Sequence, residues 1–397
     1  MDSTLIETEA QHSTEHELLP ADLTFEICQP AQLPAAKEAW LALEQELDDV
    51  PLACKWTWTE TWIDCYQHLI DYRIVVGRIG TVVCGACLLS ESRLPFAGPV
   101  RESALSLGTA GEPERDSVCV EYNAILAHPE HRRQFEAGLF EIVDAQSKWD
   151  AFRIDGFSPE DLPQGVSSEA GFEIRTDESL FFDLTQARQA DTDALAQLSY
   201  NARKIIRKNL RAFGPLTTQW AETKSQAHEI MDDLIDLHQA RWQAVGQPGV
   251  FASQPFLRFH RQLIEQLQVG VEIGLFRVLA GDKTVGCTHV FIDRNRVLTY
   301  QGGTMPLDGK LSPGLVVDYL CIEACLERGF AAFDFLGDVS LHKRRLSTSS
   351  GQLLWAVRRR PRLKFALVGA ARAMRERWRR LRRSDSSTTD SVQIESQ

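Results

Sequence analysis

One run of the chain, residues 272–343, constrains the fold more than any other part of the sequence. Between residues 272 and 301, three short apolar segments are separated by turn residues, which is the pattern of an antiparallel meander. A helix is predicted to begin after it, because Ser312 is a suitable N-cap and Pro313 fits the first helical position. Residues 330–336 have the composition of a strand, so this helix is predicted to cross between two strands of one sheet.

The start of that helix is a candidate anion site. A helix N-terminus presents unpaired N–H groups and a partial positive charge. Lys310, Ser312, Gly314 and Leu315 are therefore predicted to hold the pyrophosphate of a nucleotide donor. A capped glycine turn also occurs as an ordinary connection between a strand and a helix, and the loop by itself does not separate the two interpretations.

A second candidate site is a basic helix upstream of the meander. The spacing of its five basic residues predicts that they share one helical face, and they are Arg203, Lys204, Arg207, Lys208 and Arg211. Like charges so arranged repel one another. An anionic ligand would relieve the repulsion, and so would acidic residues of a neighbouring domain or plain solvation.

The order of these motifs resembles the FemAB-like branch of the GNAT superfamily, and more closely its CelD-type acetyltransferases associated with polysaccharide loci. The resemblance covers roughly residues 30–358, and its motifs follow the basic helix as Ala240-Arg241-Trp242, Leu311-Ser312-Pro313-Gly314, Phe333-Asp334-Phe335-Leu336-Gly337-Asp338 and Lys343. Two positions depart from the family pattern. Leu336 stands where the family usually has an Arg, and His342 where it has an aromatic residue.

The resemblance implies an α/β protein of two tandem GNAT-like domains, each a mixed sheet flanked by helices. It implies direct acyl transfer from acetyl-CoA, without a metal ion, to an amino group of a sugar or small polar metabolite. One alternative is a FemAB-like aminoacyltransferase that takes its donor from aminoacyl-tRNA. Another is a degenerate GNAT scaffold that binds a partner or a membrane, and the departures at Leu336 and His342 are its support.

Site residues follow from the same resemblance. Those predicted to bind substrate are Arg203, Arg207, Arg211, Arg241 and Trp242, and those predicted to act in catalysis are Lys343, Asp334 and Asp338. Acyl transfer requires a deprotonated acceptor and stabilisation of the oxyanion. Asp334 could serve as the base or as a structural hydrogen-bond acceptor, and Lys343 could neutralise the oxyanion or a donor phosphate or be a surface lysine.

Two features of the N-terminal half leave their roles open. Trp56, Trp58 and Trp62 could line an acceptor groove, although aromatic residues at helical spacing more often form core. The polar residues 121–123 interrupt a predicted strand over 118–126, and they could face a cleft between the domains or solvent.

Length and composition favour more than one folded unit. With 397 residues and 44% hydrophobic content, the chain is predicted to form two domains, 23–184 and 185–357. The acidic segment 1–22 and the polar segment 384–397 are predicted to be disordered. The first segment is unlike a signal peptide, and the nine cysteines, an odd number, favour reduced thiols, so the sequence predicts a cytoplasmic protein.

Charge is distributed unevenly along the chain. Residues 358–383 hold eleven Arg and one Lys against Glu376 alone, a charge of +11, so the rest of the chain, whose overall charge is −12, carries −23. Apolar residues alternate with the basic ones, which predicts an amphipathic helix that contacts an anionic membrane on its inner face. The alternative is a helix that packs against the body with a solvated Arg face. The acidic body argues against broad contact with nucleic acid.

Overall fold

The structure, a computed structural model, describes residues 23–306 and 311–375. The strands are β1 (Leu23–Cys28), β2 (Asp71–Ile79), β3 (Val82–Ala97), β4 (Val100–Leu107), β5 (Leu126–Ala127), β6 (Ala151–Phe157), β7 (Phe172–Asp183), β8 (Thr217–Trp220), β9 (Ile273–Ala280), β10 (Lys283–Asp293), β11 (Arg296–Thr304), β12 (Ala332–Asp334) and β13 (Ser349–Arg359). The helices are α1 (Leu33–Glu46), α2 (Trp56–Tyr66), α3 (Arg132–Ala145), α4 (Leu184–Gln189), α5 (Ala194–Gln197), α6 (Tyr200–Phe213), α7 (Lys224–Ala244), α8 (Gln254–Gln266), α9 (Pro313–Glu327), α10 (Leu341–Leu346) and α11, which is helical from residue 363 to the last described residue, 375.

The same arrangement of strands and helix occurs twice in the chain. In the first half, the antiparallel strands β2, β3 and β4 are followed by α3 and by β6, which pairs in parallel with β4. In the second half, the antiparallel strands β9, β10 and β11 are followed by α9 and by β12, which pairs in parallel with β11. The predicted α/β class with two tandem units is therefore confirmed, as are the meander and the crossover helix.

Two strands join the units into one 13-stranded sheet. β7, at the end of the first half, pairs with β12 of the second half. β13, near the end of the described chain, returns to the first half and lies between β6 and β7. The division at residue 184 stays a prediction, and the hydrogen-bonded sheet is continuous across it.

The segment 330–336 forms a shorter strand than its composition predicts. β12 ends at Asp334, because Leu336 adopts a left-handed φ of 60° that no strand accommodates. The Arg-rich segment also differs from the helix predicted over 358–383. Arg358 and Arg359 belong to β13, so the helix begins at residue 363, and its predicted part beyond residue 375 lies outside the described residues, as do segments 1–22 and 384–397.

The core is rich in aromatic side chains. Trp56, Trp58 and Trp62 are buried in it and pack the interior, and Trp58 also lines a small internal cavity of about 30 Å³. None of the helices among residues 23–306 and 311–375 is long and apolar enough to cross a bilayer.

A pair of histidines lies in the same core. His260 of α8 and His289 of β10 are both fully buried, with ring centroids 5.2 Å apart. Within the part of the chain that the structure describes, no ring nitrogen of either has a hydrogen-bond partner. Burial lowers the pKa of His289 to about 3 and the pKa of His260 well below its usual value. Both imidazoles are therefore held neutral by the fold.

Acid should destabilise the protein through this pair. Below pH about 6.5 an unfolded histidine binds a proton that the folded core rejects, so each histidine favours unfolding by about 1.4 kcal/mol per pH unit. We expect the free energy of unfolding of His289→Leu to fall less steeply than that of the wild type between pH ~6.5 and ~4, and denaturant titrations at several pH values measure this. His68→Leu, on an exposed residue, should follow the wild type. Parallel curves for His289→Leu and wild type would contradict this expectation.

Candidate active site

The two strands of the second parallel pair separate after a short contact. β12 pairs with β11 only at residues 296–298, and β11 continues to Thr304 with no further strand partner on that side in the described chain. The ladder between β10 and β11 also shifts register, which makes Tyr300 a β-bulge. Bulges leave ladder groups unpaired and are frequent beside active sites. The bulge at Tyr300 therefore lies just beyond the point where the pairing of β11 with β12 ends.

The N-terminus of α9 follows β11 in the chain. Ser312 is its N-cap, but the Ser312 side chain makes no capping hydrogen bond. Instead the Ser312 backbone N–H donates to Oδ1 of Asn209 on α6, at 2.8 Å. Leu315 is buried, so only its backbone N–H can face a ligand. Lys310 lies outside the described residues, and donor binding by this loop stays a prediction.

His342 is the second position at which the sequence departs from the family pattern. It lies against the start of α9. A Cβ atom on Gly314 would come within 3.3 Å of His342 Cε1. The His342 Nε2 is 2.6 Å from Oδ2 of Asp318, one turn further along α9. Any side chain at Gly314 would therefore press on His342 and occupy the space in front of the first-turn amides.

The basic helix α6 packs directly beside α9. Its buried face carries Ala202, Ile206 and Asn209, which leaves the basic residues on the outside. Arg203 donates to the carbonyl of Leu198 at 2.8 Å, and Arg211 donates to the carbonyl of Arg207 at 3.2 Å. None of the five basic residues forms an ion pair with a carboxylate in the described chain. Their positive charge is therefore available beside the α9 N-terminus.

Arg241 and Trp242 lie on the other face of the sheet. They belong to α7, which packs on the face of the sheet to which Gly303 points, since a Cβ atom there would be 2.6 Å from the Leu234 carbonyl. α9 packs on the opposite face, to which Gly286 points. Trp242 donates through Nε1 to His238 Nε2 at 2.9 Å. The structure thus does not bring these two residues together with the arginines of α6.

Asp334 holds the two halves of the protein together. Its carboxylate is fully buried and accepts from Tyr122 Oη at 2.6 Å, Ser179 Oγ at 2.8 Å and Arg296 Nη2 at 2.5 Å. It also accepts from the backbone N–H of Leu336 at 2.8 Å. With donors from four segments around it, the carboxylate is placed to position its neighbours.

Lys343 and Asp338 lie near the Asp334 carboxylate. Glu121, which the sequence analysis did not select as a site residue, lies beside them. The Glu121 Oε2 accepts from the backbone N–H of Gly337 at 2.8 Å, and the Lys343 ammonium donates to the Gly337 carbonyl. Burial raises the pKa of Glu121 to about 7, against the lowering effects of the Gly337 hydrogen bond and of Lys343. Burial also lowers the pKa of Lys343, against the nearby carboxylates of Glu121, Asp338 and Asp334.

Backbone strain is concentrated around Glu121. Four residues near it adopt a left-handed φ that side chains rarely take, namely Cys119 (42°), Tyr122 (57°), Leu336 (60°) and Asp338 (64°). Each such residue costs of order 1–3 kcal/mol and persists only where the surrounding structure imposes it. The polar interruption at residues 121–123 was the one sequence signal for Glu121, and the structure places Glu121 on a cavity wall and not on a strand.

A cavity of about 510 Å³ opens on one side of Glu121. Carboxylates predominate among its charged lining residues, which are Glu112, Glu121, Asp155, Asp177, Asp338, Arg153 and Arg175. Arg153 pairs with Glu102 at 2.6 Å and Arg175 stacks over the Trp355 ring at 4.5 Å, so both guanidinium groups have partners. On its other side Glu121 lines a small cavity of about 30 Å³ that reaches Tyr300 and Leu336. The carboxylate thus stands between the acidic cavity and the bulged strand.

Comparison with known proteins identifies the class of this fold and site. Residues 197–344 match the family model described as an acetyltransferase (GNAT) domain. This segment contains α6, the α9 loop, Asp334, Asp338 and Lys343, but not Glu121. From residue 197 to residue 344 the chain is therefore similar to a GNAT acetyltransferase domain.

The wider fold agrees with two solved structures. The crystal structure of FemX has a TM-score of 0.52 and 11% identity, over 81% of this chain and 95% of that one. The C-terminal domain of a putative lysylphosphatidylglycerol synthetase from Agrobacterium fabrum has a TM-score of 0.50 and 12% identity, over 85% of this chain and 96% of that one. The sequence matches none of the curated proteins with which it was compared. The chain therefore shares its overall fold with both proteins.

Proposed function

We propose that the protein transfers an acyl group, most simply acetyl, directly from acyl-CoA to the amino group of a small polar acceptor such as an amino sugar. The observation that carries this proposal is the position of Glu121. It is a carboxylate whose pKa is raised to about 7, between an acidic cavity of about 510 Å³ and the bulged strand β11. A general base works best when its pKa is near the working pH.

The acidic cavity supports an amine as the acceptor. Carboxylates attract an ammonium group and raise its local concentration. Burial raises the pKa of Glu112, which accepts a hydrogen bond from Trp62, to about 7, and it also raises the pKa of Asp155. A bound cation would favour the ionised forms of these carboxylates. The acceptor would therefore enter as an ammonium ion and lose its proton to Glu121.

The N-terminus of α9 supports a donor with phosphates. α6, which carries the basic side chains, packs against α9, whose first-turn amides are at Gly314 and Leu315. Backbone N–H groups and the helix dipole suit a pyrophosphate. Asn209 fixes the loop by its bond to Ser312, so the cradle is held before the donor binds.

The reaction then balances as follows. The deprotonated amine attacks the thioester carbonyl carbon, a C–N bond forms and the C–S bond breaks. The nitrogen gives up its second proton, which the CoA thiolate takes up, and the proton that Glu121 accepted is released to solvent, which restores the base. The backbone N–H of the bulge residue Tyr300 and the ammonium of Lys343 supply positive potential for the oxyanion. We assign Asp334 a positioning role through Tyr122 and Arg296, and Asp338 a place in the cavity wall.

The aminoacyl-tRNA alternative uses the same acceptor chemistry and differs in its donor. The two functions are therefore separated by what binds at the start of α9. A free CoA molecule needs the pyrophosphate cradle, whereas an aminoacyl ester of tRNA carries no pyrophosphate to place there.

We expect CoA to bind to the wild type and not measurably to Gly314→Glu. The new side chain would press on His342 and place a negative charge at the amides that the pyrophosphate needs. Isothermal titration calorimetry with CoA measures both proteins. Gly369→Glu is a matched control, because a Cβ atom there meets nothing within 4 Å and α11 is remote from the cradle. Equal CoA affinity in all three proteins would show that the site is elsewhere.

A further inference from the structure

The basic residues at the start of the Arg-rich segment form ion pairs with the rest of the protein. Its basic side chains pair with acidic groups of the N-terminal half, as Arg358 with Asp144, Arg359 with Glu102 and Glu173, Arg362 with Asp150, and Lys364 with Asp150. Glu102 and Asp150 are buried. These four basic side chains therefore serve the fold and are not free to bind another partner.

The helix that follows attaches to the body along one side. The Phe365 ring packs on the Phe96 ring with centroids 4.5 Å apart, and the Arg372 guanidinium lies over the same Phe96 ring at 5.5 Å. Phe96 is in β3, close to its turn into β4. These two contacts fix which face of α11 looks inward.

The outward face of α11 is apolar. Leu363, Leu367 and Met374 are 77%, 63% and 67% exposed. Their spacings of four and seven residues place them in one line along the helix, on the side away from Phe96. Large apolar side chains aligned in this way on an exposed face mark an interaction surface. We call the line of Leu363, Leu367 and Met374 the apolar stripe.

Charge indicates what covers the apolar stripe. Between residues 366 and 383 the sequence has seven Arg and one Glu, whereas the chain outside residues 358–383 carries −23. An anionic bilayer would repel the body and attract only this segment. A helix with an apolar line and basic neighbours lies in the boundary between headgroups and acyl chains. Nucleic acid offers no apolar surface for the apolar stripe, so it suits this face less well.

We propose that α11 docks the protein on an anionic lipid bilayer, with the apolar stripe inserted at the headgroup boundary and the net positive charge that the sequence carries over residues 366–383 attracted by the lipid phosphates. The proposal is independent of the acyl-transfer chemistry. It also separates the basic side chains of residues 358–364, which hold the fold, from the apolar stripe and the later positive charge, which bind lipid.

Cosedimentation of the full chain with vesicles tests the proposal. We expect binding to vesicles of phosphatidylglycerol mixed with phosphatidylcholine, weaker binding at high salt, and none to pure phosphatidylcholine. Leu367→Glu should weaken binding by more than about fiftyfold, because it removes an inserted apolar side chain and adds a negative charge. Ala373→Glu adds the same charge off the apolar stripe and should weaken binding only about fivefold.

Truncation gives a second readout. A chain that ends at residue 366 keeps the ion pairs of residues 358–364 and the Phe365 contact, so it should fold and should not bind anionic vesicles. Equal sedimentation with neutral and anionic vesicles would overturn the proposal. So would vesicle binding that Leu367→Glu leaves unchanged, or binding of tRNA by the wild type without any binding of vesicles.

Discussion

Replacing Glu121 with Gln is expected to lower kcat/KM by about two to four orders of magnitude, because a positioned general base contributes that much to proton transfer. Gln can still accept the hydrogen bond from the Gly337 backbone N–H, so the fold should be retained. In the wild type, kcat/KM should rise with pH through about 7, where Glu121 loses its proton. Steady-state kinetics over pH, with an acceptor amine identified by screening, measure both effects.

Glu178→Gln is the matched control for Glu121→Gln. Glu178 is a half-exposed glutamate outside the cavity, and it pairs with Arg344 at 3.0 Å. Its variant should retain wild-type turnover and pH profile. A Glu121→Gln protein with near-wild-type kcat/KM would remove Glu121 from the mechanism and return the search for a base to Asp334 and Asp338.

Lys343→Ala is expected to lower turnover by roughly two to three orders of magnitude, the cost of losing one group that stabilises an oxyanion. The same change removes a positive charge that lowers the pKa of Glu121, so the rise of kcat/KM with pH should move to higher pH. Steady-state turnover and its pH profile measure the two effects separately. The shift in pH profile distinguishes an electrostatic role from a loss of folding.

Arg344→Ala is the control for Lys343→Ala, because Arg344 is the next cation along α10 and pairs only with the surface carboxylate of Glu178. Exposed ion pairs contribute little to stability. We expect this variant to keep both turnover and pH profile. If Lys343→Ala behaves in the same way, Lys343 is one more surface cation.

Local sequence patterns predicted the parts of the fold that local physics determines. Apolar segments separated by turns predicted the meander, and a Ser-Pro start predicted α9 at its observed first residue, Pro313. The pairing of β7 with β12 and of β13 with β6, which joins the two units, was not predictable in this way. β13 pairs with β6, almost two hundred residues earlier, and no local period encodes which distant strand will be its neighbour.

The candidate site shows the same difference between residues that are close in sequence and residues that are far apart. Asp334, Asp338 and Lys343 lie within one short motif, and the structure brings them together. Glu121 meets the motif through a hydrogen bond to Gly337 that spans 216 residues of sequence. Its only local signal was a polar residue in an apolar segment. Arg241 and Trp242 were grouped with α6 by motif order, whereas the sheet separates α7 from α9.

The release of free thiol from acetyl-CoA, followed continuously in the presence and absence of a panel of amino sugars and small amines, tests the central claim most directly. We predict release that requires both the wild-type protein and one class of amine, rises through pH ~7, and falls by about two orders of magnitude or more in Glu121→Gln. No thiol release with any acyl-CoA and any amine, together with acyl transfer from an aminoacyl-tRNA, would contradict it.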